Sequence, residues 1–545
     1  MSGNDLHRDA QAPETGSALA LIPATVAVFL LAAATRLLHL SAEPHFDELY
    51  HVLAARGLIE YGEPRILGGL YERALGYTGM IAIVFTVFGE SLEAGRLTSV
   101  LFGSALVAGI FVWVRHLAGR TAGLVSAAMA ILWPTGIEVS QMIRFYAPFG
   151  LVAFLGFVAV YTAVYEARAI RTKILLASLA VILFVLALRL QEIMIIGLVG
   201  LGVWVFLFLA LPAILAHRYQ NVILLALLGG FGAAAALMWQ AGLPDYYLTK
   251  FRWAPEWVAH RRNEELYYSR LLYYEFPLLW PWMPFAAMIA IARFPRPGVF
   301  CVVIFGISLL LHSLAGMKSG RYIYYVMPLM FAVFGMAAAV IVPAVHRMLK
   351  RAVRSGSDVV QRRLSGSAIT WGPIAVAGVF ALAFLPAPGM LTGGDKDQKP
   401  WQAAAETVRP WIDQADVVAS NQELYALYFL GRADLTVSSS RLSELSDRSE
   451  FSTDFRTGLP VISDPASIRA VLSCTPTGLF IISGGQRAEL KSSFTAVADA
   501  LAPDTTLRSF DIRARPQVDA FYWETMTTDA ERCADITGLF NKDRG

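Results

Sequence analysis

Long apolar runs dominate this chain of 545 residues and limit what it can fold into. Hydrophobic residues make up 56% of the sequence, charged residues only 16%, and the mean hydropathy is +0.53. Ordinary soluble domains contain about 25% charged residues, and roughly 20 consecutive apolar residues suffice to cross a bilayer as a helix. The sequence therefore predicts a polytopic α-helical membrane protein.

About eleven runs have the composition of membrane spans, and the shorter ones must extend into their polar flanks to reach the required length. They are 18–38, 97–114, 122–137, 147–165, 174–188, 193–213, 221–239, 278–292, 299–316, 322–345 and 368–388. Residues 1–17 are polar and contain one arginine, unlike the basic start of a signal peptide. The run 18–38 is therefore expected to be a retained membrane anchor.

Positive charge between the runs predicts their orientation. If the additional apolar run 74–88 lies along or dips into the membrane surface without crossing, one set of short connections holds fourteen Lys or Arg and two acids. This set comprises 115–120, 166–173, 214–220, 293–298 and 346–366. Cytoplasmic loops concentrate Lys and Arg, so this set is expected inside the cell together with residues 1–17. The first loop 39–96 and the large loop 240–277 of the membrane domain 18–388 then face outward.

The region 389–545 is polar and is predicted to be a soluble α/β domain on the outer side. A Gly- and Lys-rich linker at 393–400 precedes alternating strand and helix patterns. The predicted strands are 416–420, 435–439 and 478–483, and the predicted helices are 422–430, 465–473 and 488–501. Cys474 and Cys533 lie in this region and are predicted to form a disulfide there, because disulfides persist in oxidising compartments.

Several function classes receive no support from the sequence. The net charge of +3 is small, and no basic patch with interleaved aromatic residues indicates nucleic-acid binding. Three cysteines are too few for a disulfide scaffold or a zinc module. The region 389–545 has no Gly-rich phosphate loop, nucleophile elbow or metal-ligand spacing, so the sequence does not indicate its role.

Two adjacent carboxylates, Asp47 and Glu48, follow the first predicted span and are flanked by His45 and His51. Carboxylates so close to hydrocarbon are costly and usually mark chemistry or an ion path. Asp47 is predicted to act as a general base that takes a proton from an acceptor hydroxyl. Glu48 would face the other way on a helix and is expected to orient a neighbour. A solvated loop end is the alternative.

A cationic cluster precedes a much later apolar run and predicts a phosphate site. Lys318, Arg321 and Tyr322 stand before the run that contains Pro328, and Arg321 is expected to start its helix. An arginine beside helix-end amides is suited to hold phosphate oxygens. Simple snorkelling of basic side chains is the alternative.

Other polar groups near the predicted spans are candidates with equally plausible structural roles. Glu138, Gln141 and Arg144 have the spacing of one helical face and could form either part of a site or a self-neutralising interfacial pair. Arg189 interrupts two apolar runs, where an interfacial loop is an equal alternative. The aromatic residues of loop 240–277 indicate mainly an interfacial belt, and a minority could stack on sugars.

Three segments give the chain a family resemblance: FDELY at 46–50, FGESLEAGRL at 88–97 and KSGRYIYYVMP at 318–328. Over roughly residues 20–345 it resembles the polyprenyl-phosphate-sugar-dependent glycosyltransferases of the GT-C superfamily. The likeness is greatest to bacterial relatives of protein O-mannosyltransferases and to the lipid A aminoarabinose transferase. The resemblance implies a GT-C-like fold and an inverting transfer on the periplasmic face. It also implies that Asp47 is the catalytic carboxylate and that basic groups line a groove for the lipid-phosphate donor.

The resemblance has departures that bear on the site. Glu138 would stand in for an aspartate that the family's second loop often carries. The Trp-Trp-Asp-type signature of oligosaccharyltransferases is missing from the sequence, so transfer of a preassembled glycan to asparagine is not expected. Some relatives bind a divalent metal, to which His45 or Glu48 could contribute, but no group has convincing ligand spacing.

We therefore expect a hexosyl- or pentosyl-type glycosyltransferase of the bacterial inner membrane. It would move a single sugar from polyprenyl phosphate to an envelope lipid, glycan or protein. Lys318 and Arg321, or else Arg144 or Arg189, would meet the charge on the departing phosphate. The alternative is a lipid-linked-sugar flippase or secondary transporter. The sequence shows no internal repeat of the kind that transporters carry, which favours the enzyme.

Overall fold

A computed structural model describes residues 18–355 and 399–526, except 502, 503, 511 and 513–516, together with 533, 536, 538 and 539. Twenty helices are followed below, named in chain order. They are α1 Ala18–Arg36, α2 Phe46–Tyr61, α3 Leu75–Phe88, α4 Leu92–Ala118, α5 Arg120–Leu132, α6 Pro134–Ser140, α7 Tyr146–Tyr165, α8 Ile170–Leu190, α9 Met194–Leu215, α10 Gln220–Gln240, α11 Leu243–Arg252, α12 Tyr267–Glu275, α13 Met283–Arg293, α14 Pro295–Leu314, α15 Met327–Ser355, α16 Pro400–Ile412, α17 Glu423–Leu430, α18 Ser439–Glu444, α19 Pro465–Cys474 and α20 Arg487–Ala500.

The described residues also contain nine strands. They are β1 Arg65–Ile66, β2 Gly69–Leu70, β3 Val417–Ser420, β4 Leu435–Val437, β5 Ser452–Thr453, β6 Pro460–Ile462, β7 Thr477–Ser483, β8 Thr505–Phe510 and β9 Val518–Thr525. The chain divides into two compact units. The helical unit comprises Met1–Leu38, Ser99–Gln141 and Phe145–Leu391, and the loop–sheet unit comprises His39–Thr98, Met142–Arg144 and Thr392–Gly545.

In the described part of the chain, seven helices are long and apolar enough to cross a membrane, or up to nine if each of two bent pairs counts as one span. Ten of the predicted runs coincide with helices, and α8 extends the short run 174–188 on both sides, as expected. The prediction of a polytopic membrane protein is therefore confirmed. The run 368–388, the N-terminal segment 1–17 and most of the linker 393–400 lie outside the described residues.

Proline explains both bends. The pair α5 and α6 bends by 64° where Pro134 follows Trp133, which adopts an extended conformation. A residue before proline disfavours the helical conformation, and proline itself donates no backbone hydrogen bond. The pair that joins α12 to the segment Trp280–Arg293 bends by 114°, and its break contains Pro277.

The run 74–88 forms α3, a helix of 14 residues. At 1.5 Å per residue its length is about 21 Å, short of the roughly 30 Å hydrocarbon core. One side of α3 is buried, at Tyr77 and Ile81, whereas Ile83 and Phe88 are 65% and 77% exposed. An exposed apolar side on a short helix supports the prediction that α3 lies along the membrane surface.

The loop–sheet unit contains a seven-stranded sheet with strand order β5-β6-β4-β3-β7-β9-β8. Strands β6, β4, β3 and β7 pair in parallel, and the remaining pairs are antiparallel. All four residues of β3 are buried, because an apolar cluster covers each face of the sheet. The predicted α/β character of the C-terminal region is confirmed. Its boundary at residue 389 stays a prediction.

The helix that carries the two adjacent carboxylates belongs to the same unit as the sheet. Helix α2 packs against α17, and both contribute to one apolar cluster with the β1–β2 hairpin. On α2 the members are Leu49, Tyr50, Leu53 and Ala54, and on α17 they are Leu424, Ala426 and Leu427. The core of the loop–sheet unit therefore fixes the direction of α2.

Cys474 and Cys533 form a disulfide, as predicted, and Cys301 is a buried free thiol. We expect thiol-reactive reagents to label Cys474 and Cys533 only after reduction. Cys474→Ser should lower the free energy of unfolding by about 2–5 kcal/mol, since the bridge restricts the unfolded chain. Thermal unfolding of purified protein with and without reductant measures this. Full labelling of both thiols in unreduced protein from an oxidising compartment would contradict the disulfide.

Candidate active site

The start of α2 positions the two acidic side chains. The ring Nδ1 of His45 accepts a hydrogen bond from the amide of Asp47, and the amide of His45 donates to Glu48 Oε1, forming a capping box. Pro44 precedes this cap and disfavours an earlier helical start. Asp47 and Glu48 therefore lie in the first turn of α2, where the helix dipole stabilises negative charge.

Glu48 is 1% exposed and accepts four hydrogen bonds. Arg96 donates to both carboxylate oxygens, at 2.9 and 2.8 Å, and the amides of Ile143 and His45 donate at 2.8 Å each. A bidentate guanidinium with further amide donors offsets the cost of burying this charge. Each carboxylate oxygen of Glu48 accepts two hydrogen bonds. This arrangement suits the orienting role expected of Glu48.

Asp47 differs from Glu48 in being 24% exposed. Its Oδ2 lies 3.7 Å from Nη2 of Arg144, whose side chain is 3% exposed. Nη1 of the same guanidinium donates to the Asp47 carbonyl at 2.9 Å and to Tyr71 Oη at 3.4 Å. The buried arginine therefore fixes the first turn of α2 while the Asp47 carboxylate stays accessible.

His51 lies one helical turn after Asp47 and is fully buried. Its Nδ1 is 2.9 Å from Thr78 Oγ1 on α3, and its ring meets the edges of Tyr71 and Tyr77. Burial and the nearby charge of Arg144 hold the pKa of His51 well below its usual range. The imidazole is therefore neutral near pH 7, and its contacts join α2 to α3.

The predicted phosphate residues lie in the helical unit. The Lys318 side chain is buried, and Nζ donates to the carbonyls of Ala315 at 2.6 Å and Arg262 at 2.9 Å. The Arg321 guanidinium lies 5.4 Å from the centroid of the Tyr146 ring, within cation–π range. Tyr322 is 5% exposed. Lys318 thus supports the loop through carbonyls, and Arg321 is fixed over an aromatic ring.

One expectation for this segment is wrong. Arg321 does not start the long helix, because it lies in the 3₁₀ turn Gly320–Ile323 and α15 begins at Met327. Pro328 accounts for the later start, since proline favours the first turn of a helix and has no amide to donate. Arg321 therefore does not belong to the first turn of α15.

The structure also separates residues that the sequence spacing placed together. Glu138, Gln141 and Arg144 do not share a helical face, because α6 ends at Ser140 and residues 141–145 form turns. Glu138 is exposed, as is Arg189 near the end of α8. Gln141 is buried and donates to the carbonyl of Leu38. The Arg144 guanidinium pairs with Asp47 instead.

The loop aromatics divide into buried and exposed groups. Tyr268 is buried, and its Oη lies 3.3 Å from both the Ser319 carbonyl and the Ser319 amide. Exposed members include Tyr246, Trp253, Tyr273 and Tyr274. The buried ring stabilises the Lys318 segment, and the exposed rings suit an interfacial belt.

Two important residues were not singled out from the sequence. Arg96 lies in the segment 88–97, one of the three that carry the family resemblance. Its distance from Glu48 in the sequence gave no indication that the two side chains form an ion pair. Glu275 is 8% exposed and accepts hydrogen bonds from Trp133 Nε1 at 2.8 Å and from the Thr135 amide at 3.1 Å. Glu275 is the last acid before the apolar run 278–292, and this position could have indicated its importance.

The residues that could contribute to a metal site do not fit one. Glu48 is engaged by Arg96 and two amides, and His45 Nδ1 accepts from the Asp47 amide. The described residues contain no group of three or more His, Cys, Asp or Glu arranged to hold an ion. We therefore derive no step through a metal.

No protein family model matches the sequence, and no curated protein matches it. The structure is similar to the crystal structure of ArnT from Cupriavidus metallidurans bound to undecaprenyl phosphate. The TM-score is 0.58 at 14% identity, over 93% of this chain and 98% of that chain. This chain has the GT-C fold. The apo structure of ArnT gives a TM-score of 0.56 at 13% identity, over 92% of this chain and 97% of that chain.

A lower-scoring match is the archaeal oligosaccharyltransferase AglB from Archaeoglobus fulgidus, in complex with an inhibitory peptide and a dolichol-phosphate. Its TM-score is 0.48 at 12% identity, over 89% of this chain and 69% of that chain. The fold assignment rests on the ArnT structures. They confirm the prediction of a GT-C-like membrane protein.

Because Glu48 and Arg96 are almost fully buried, Glu48→Gln leaves the Arg96 guanidinium without its carboxylate partner in the core of the loop–sheet unit. We expect the free energy of unfolding to fall by about 3–5 kcal/mol, measured by denaturant unfolding in detergent. Glu90→Gln is the matched control, since Glu90 pairs with Arg56 at 2.6 Å but both side chains are more than a third exposed. That control should cost less than about 1 kcal/mol. Equal losses in the two variants would show that the buried pair has no special role.

Proposed function

We propose that this chain is an inverting glycosyltransferase that moves a single sugar from a polyprenyl-phosphate donor to an envelope acceptor. The sugar is of the hexosyl or pentosyl type, and the acceptor is a lipid, a glycan or a protein. The observation that carries the proposal is the accessible carboxylate of Asp47, fixed by a buried arginine in the first turn of a capped helix. The similarity in fold to ArnT, a protein crystallised with undecaprenyl phosphate bound, also supports the proposal.

In the proposed reaction, Asp47 acts as the general base. The acceptor hydroxyl oxygen attacks the anomeric carbon of the donor sugar, and its proton passes to the Asp47 carboxylate. The bond between the anomeric carbon and the phosphate oxygen breaks, and the polyprenyl phosphate keeps the bonding electrons. A single displacement inverts the anomeric centre. Glu48 orients Asp47, and Glu138 is retained as a second acidic candidate because its side chain is exposed.

The departing phosphate gains negative charge, so a cation must stabilise it. Arg321 is the first candidate, because a planar guanidinium can hold two phosphate oxygens and its position over Tyr146 restricts its motion. Lys318 and Tyr322 support the same segment, with Lys318 adding positive charge. Arg144 and the exposed Arg189 are the other candidates.

We propose the bacterial inner membrane as the location, with Asp47 and the loop–sheet unit on the periplasmic side. The disulfide between Cys474 and Cys533 supports an oxidising compartment for this unit. The cation-rich connections of the helical unit support the opposite side as cytoplasmic. A reporter fused near residue 540 that is active only in the cytoplasm would contradict this orientation.

We expect Asp47→Asn to reduce transfer about 10²–10⁴-fold, or about 3–5 kcal/mol in the barrier, because the amide cannot accept the proton. The assay measures polyprenyl phosphate released by purified protein from a polyprenyl-phosphate sugar in the absence of any ion gradient. Asp413→Asn is the control, since Asp413 is an exposed aspartate of the same unit. Near-normal release by Asp47→Asn would exclude Asp47 as the base. Transport of donor by wild-type protein without any release would favour a flippase.

For the phosphate site, we expect Arg321→Ala to lower kcat and to raise the donor KM, since the contact strengthens as charge collects on the phosphate. Arg321→Lys should recover only part of the activity, because a point charge does not reproduce the planar fork. Arg293→Ala, which removes an exposed arginine of the helical unit, is the matched control. If neither parameter changes in Arg321→Ala, the phosphate binds elsewhere, and Arg144 and Arg189 become the residues to test.

A further inference from the structure

A cluster of five charged side chains lies beside α2 in the loop–sheet unit, and the proposed reaction does not use it. Arg441 on α18 lies 2.7 Å from Glu423, 3.4 Å from Asp454 and 3.7 Å from Glu444. Arg456 lies 2.9 Å from both Asp454 and Glu444. We call these residues the five-charge cluster.

The two acids Glu423 and Asp454 of the five-charge cluster are buried, and Glu444 is 24% exposed, so part of the cluster is costly to form. Glu423 and Asp454 are each 1% exposed, and the arginine side chains are 13% and 16% exposed. The arginines hold the pKa of Asp454 below its ordinary value, although burial acts in the opposite direction. A buried ionic network often adds less stability than apolar residues of the same volume would. Fixing a specific geometry is a better account of it than stability.

The cluster contacts α2 through two aromatic rings. The Arg441 guanidinium lies 5.6 Å from the Phe46 ring centroid and 5.9 Å from that of Tyr50. The Arg456 guanidinium also lies 5.9 Å from the Tyr50 centroid. All three distances are within cation–π range, and Tyr50 is 5% exposed. Two cations therefore fix one ring of α2.

Tyr50 connects the cluster to Asp47. Its ring stacks on Tyr71 with centroids 4.7 Å apart and planes 12° apart. Tyr71 Oη accepts a hydrogen bond from Arg144, and Arg144 pairs with the Asp47 carboxylate. Three consecutive contacts thus join the Tyr50 ring to Asp47.

The C-terminal region also holds the residues just before α2. Glu43 Oε1 accepts hydrogen bonds from the amides of Trp401 and Gln402, at 2.7 and 3.1 Å, in the first turn of α16. Tyr425 Oη donates to the Pro44 carbonyl at 2.7 Å, and its ring stacks on Trp401. The two residues just before the α2 cap are therefore held by residues that lie more than 350 positions away in the sequence.

We propose that the C-terminal α/β region serves the transferase as a positioning device, with Arg441 as its central positioning residue. Through Tyr50, Tyr71 and Arg144 the five-charge cluster sets the direction in which Asp47 faces the acceptor hydroxyl. This inference rests on the proposed function of Asp47. It gives a role to a region whose sequence carries no catalytic motif.

The test uses full-length protein and compares Arg441→Gln with Arg487→Gln. Arg487 is the matched control, because it pairs with the buried Asp519 in the same unit but contacts no residue of α2 in the described structure. We expect Arg441→Gln to lower kcat about 10- to 100-fold with little change in donor KM, since a misaligned base slows the reaction without weakening donor binding. Arg441→Lys, which keeps the cation near Tyr50, should recover part of kcat. The control should keep both parameters.

Tyr50→Leu tests the same route without leaving a buried charge unpaired, and it decides the matter if Arg441→Gln does not fold. We expect Tyr50→Leu to lower kcat in the same way. In the double variant the loss should be smaller than the product of the two single losses, because both changes break one chain of contacts. Multiplicative losses, or an unchanged kcat in Tyr50→Leu, would overturn the proposal.

Hydrogen exchange separates this inference from the proposed function. Arg441→Gln should speed amide exchange in residues 46–61, whereas Arg487→Gln should not. Faster exchange in a protein that shows no transferase activity at all would leave the positioning contact standing and reject only the reaction. Unchanged exchange in 46–61 would overturn the positioning role even if wild-type protein is an active transferase.

Discussion

The buried pair between Glu48 and Arg96 is the interaction on which the candidate site depends. Arg96 donates not only to Glu48 but also to the carbonyls of Leu40 and Ala42, at 2.6 and 2.7 Å, and so fixes the chain that enters α2. Glu48 in turn accepts from the amide of Ile143, one residue before Arg144. One carboxylate therefore joins three separate segments. The pairing of Arg144 with Asp47 follows from this arrangement.

A second buried carboxylate organises the helical unit. Glu275, at the end of α12, accepts hydrogen bonds from the Thr135 amide at the start of α6 and from the indole of Trp133. The Trp133 ring stacks on the Tyr324 ring. Gly320 packs close to Thr135, since a Cβ atom added at Gly320 would lie 3.3 Å from Thr135 Oγ1. Both bent helix pairs are thereby joined to the segment that carries Lys318 and Arg321. At the bend between α5 and α6, the Glu275 carboxylate accepts from the Thr135 amide, one of the amides that a helix start leaves without a partner in its own helix.

The sequence predicts the elements of this fold better than their connections. Apolar runs located the helices, and alternating patterns located β3, β4 and β7, because burial acts on every residue of these elements. Strand β9 was missed although seven of its eight residues lie opposite β7, since Asp519 interrupts its apolar pattern and is neutralised by Arg487 and Lys491. The spacing of Glu138 and Arg144 indicated one helix, but the short α6 ends between them. Ion pairs across 48 positions, such as Glu48 with Arg96, leave no local pattern to recognise.

Some residues of the candidate site are recognisable from local sequence, whereas others are recognisable only from tertiary packing. Asp47 and Glu48 could be found because acids beside apolar runs are rare, and their different exposure reflects their different faces on α2. The partners Arg144 and Tyr71 depend on tertiary packing, as does the contact of the C-terminal region with α2. Helix α17 alone gives no sign that it covers a helix near the start of the chain.

The stereochemistry of transfer tests the central claim most directly. A polyprenyl-phosphate sugar of known anomeric configuration is incubated with the purified protein and an envelope extract from a strain that lacks it. Nuclear magnetic resonance of the isolated product then gives the configuration of the new glycosidic bond. A single displacement assisted by Asp47 requires the inverted anomer. A product with retained configuration would contradict it, since a single backside displacement at the anomeric carbon always inverts that centre.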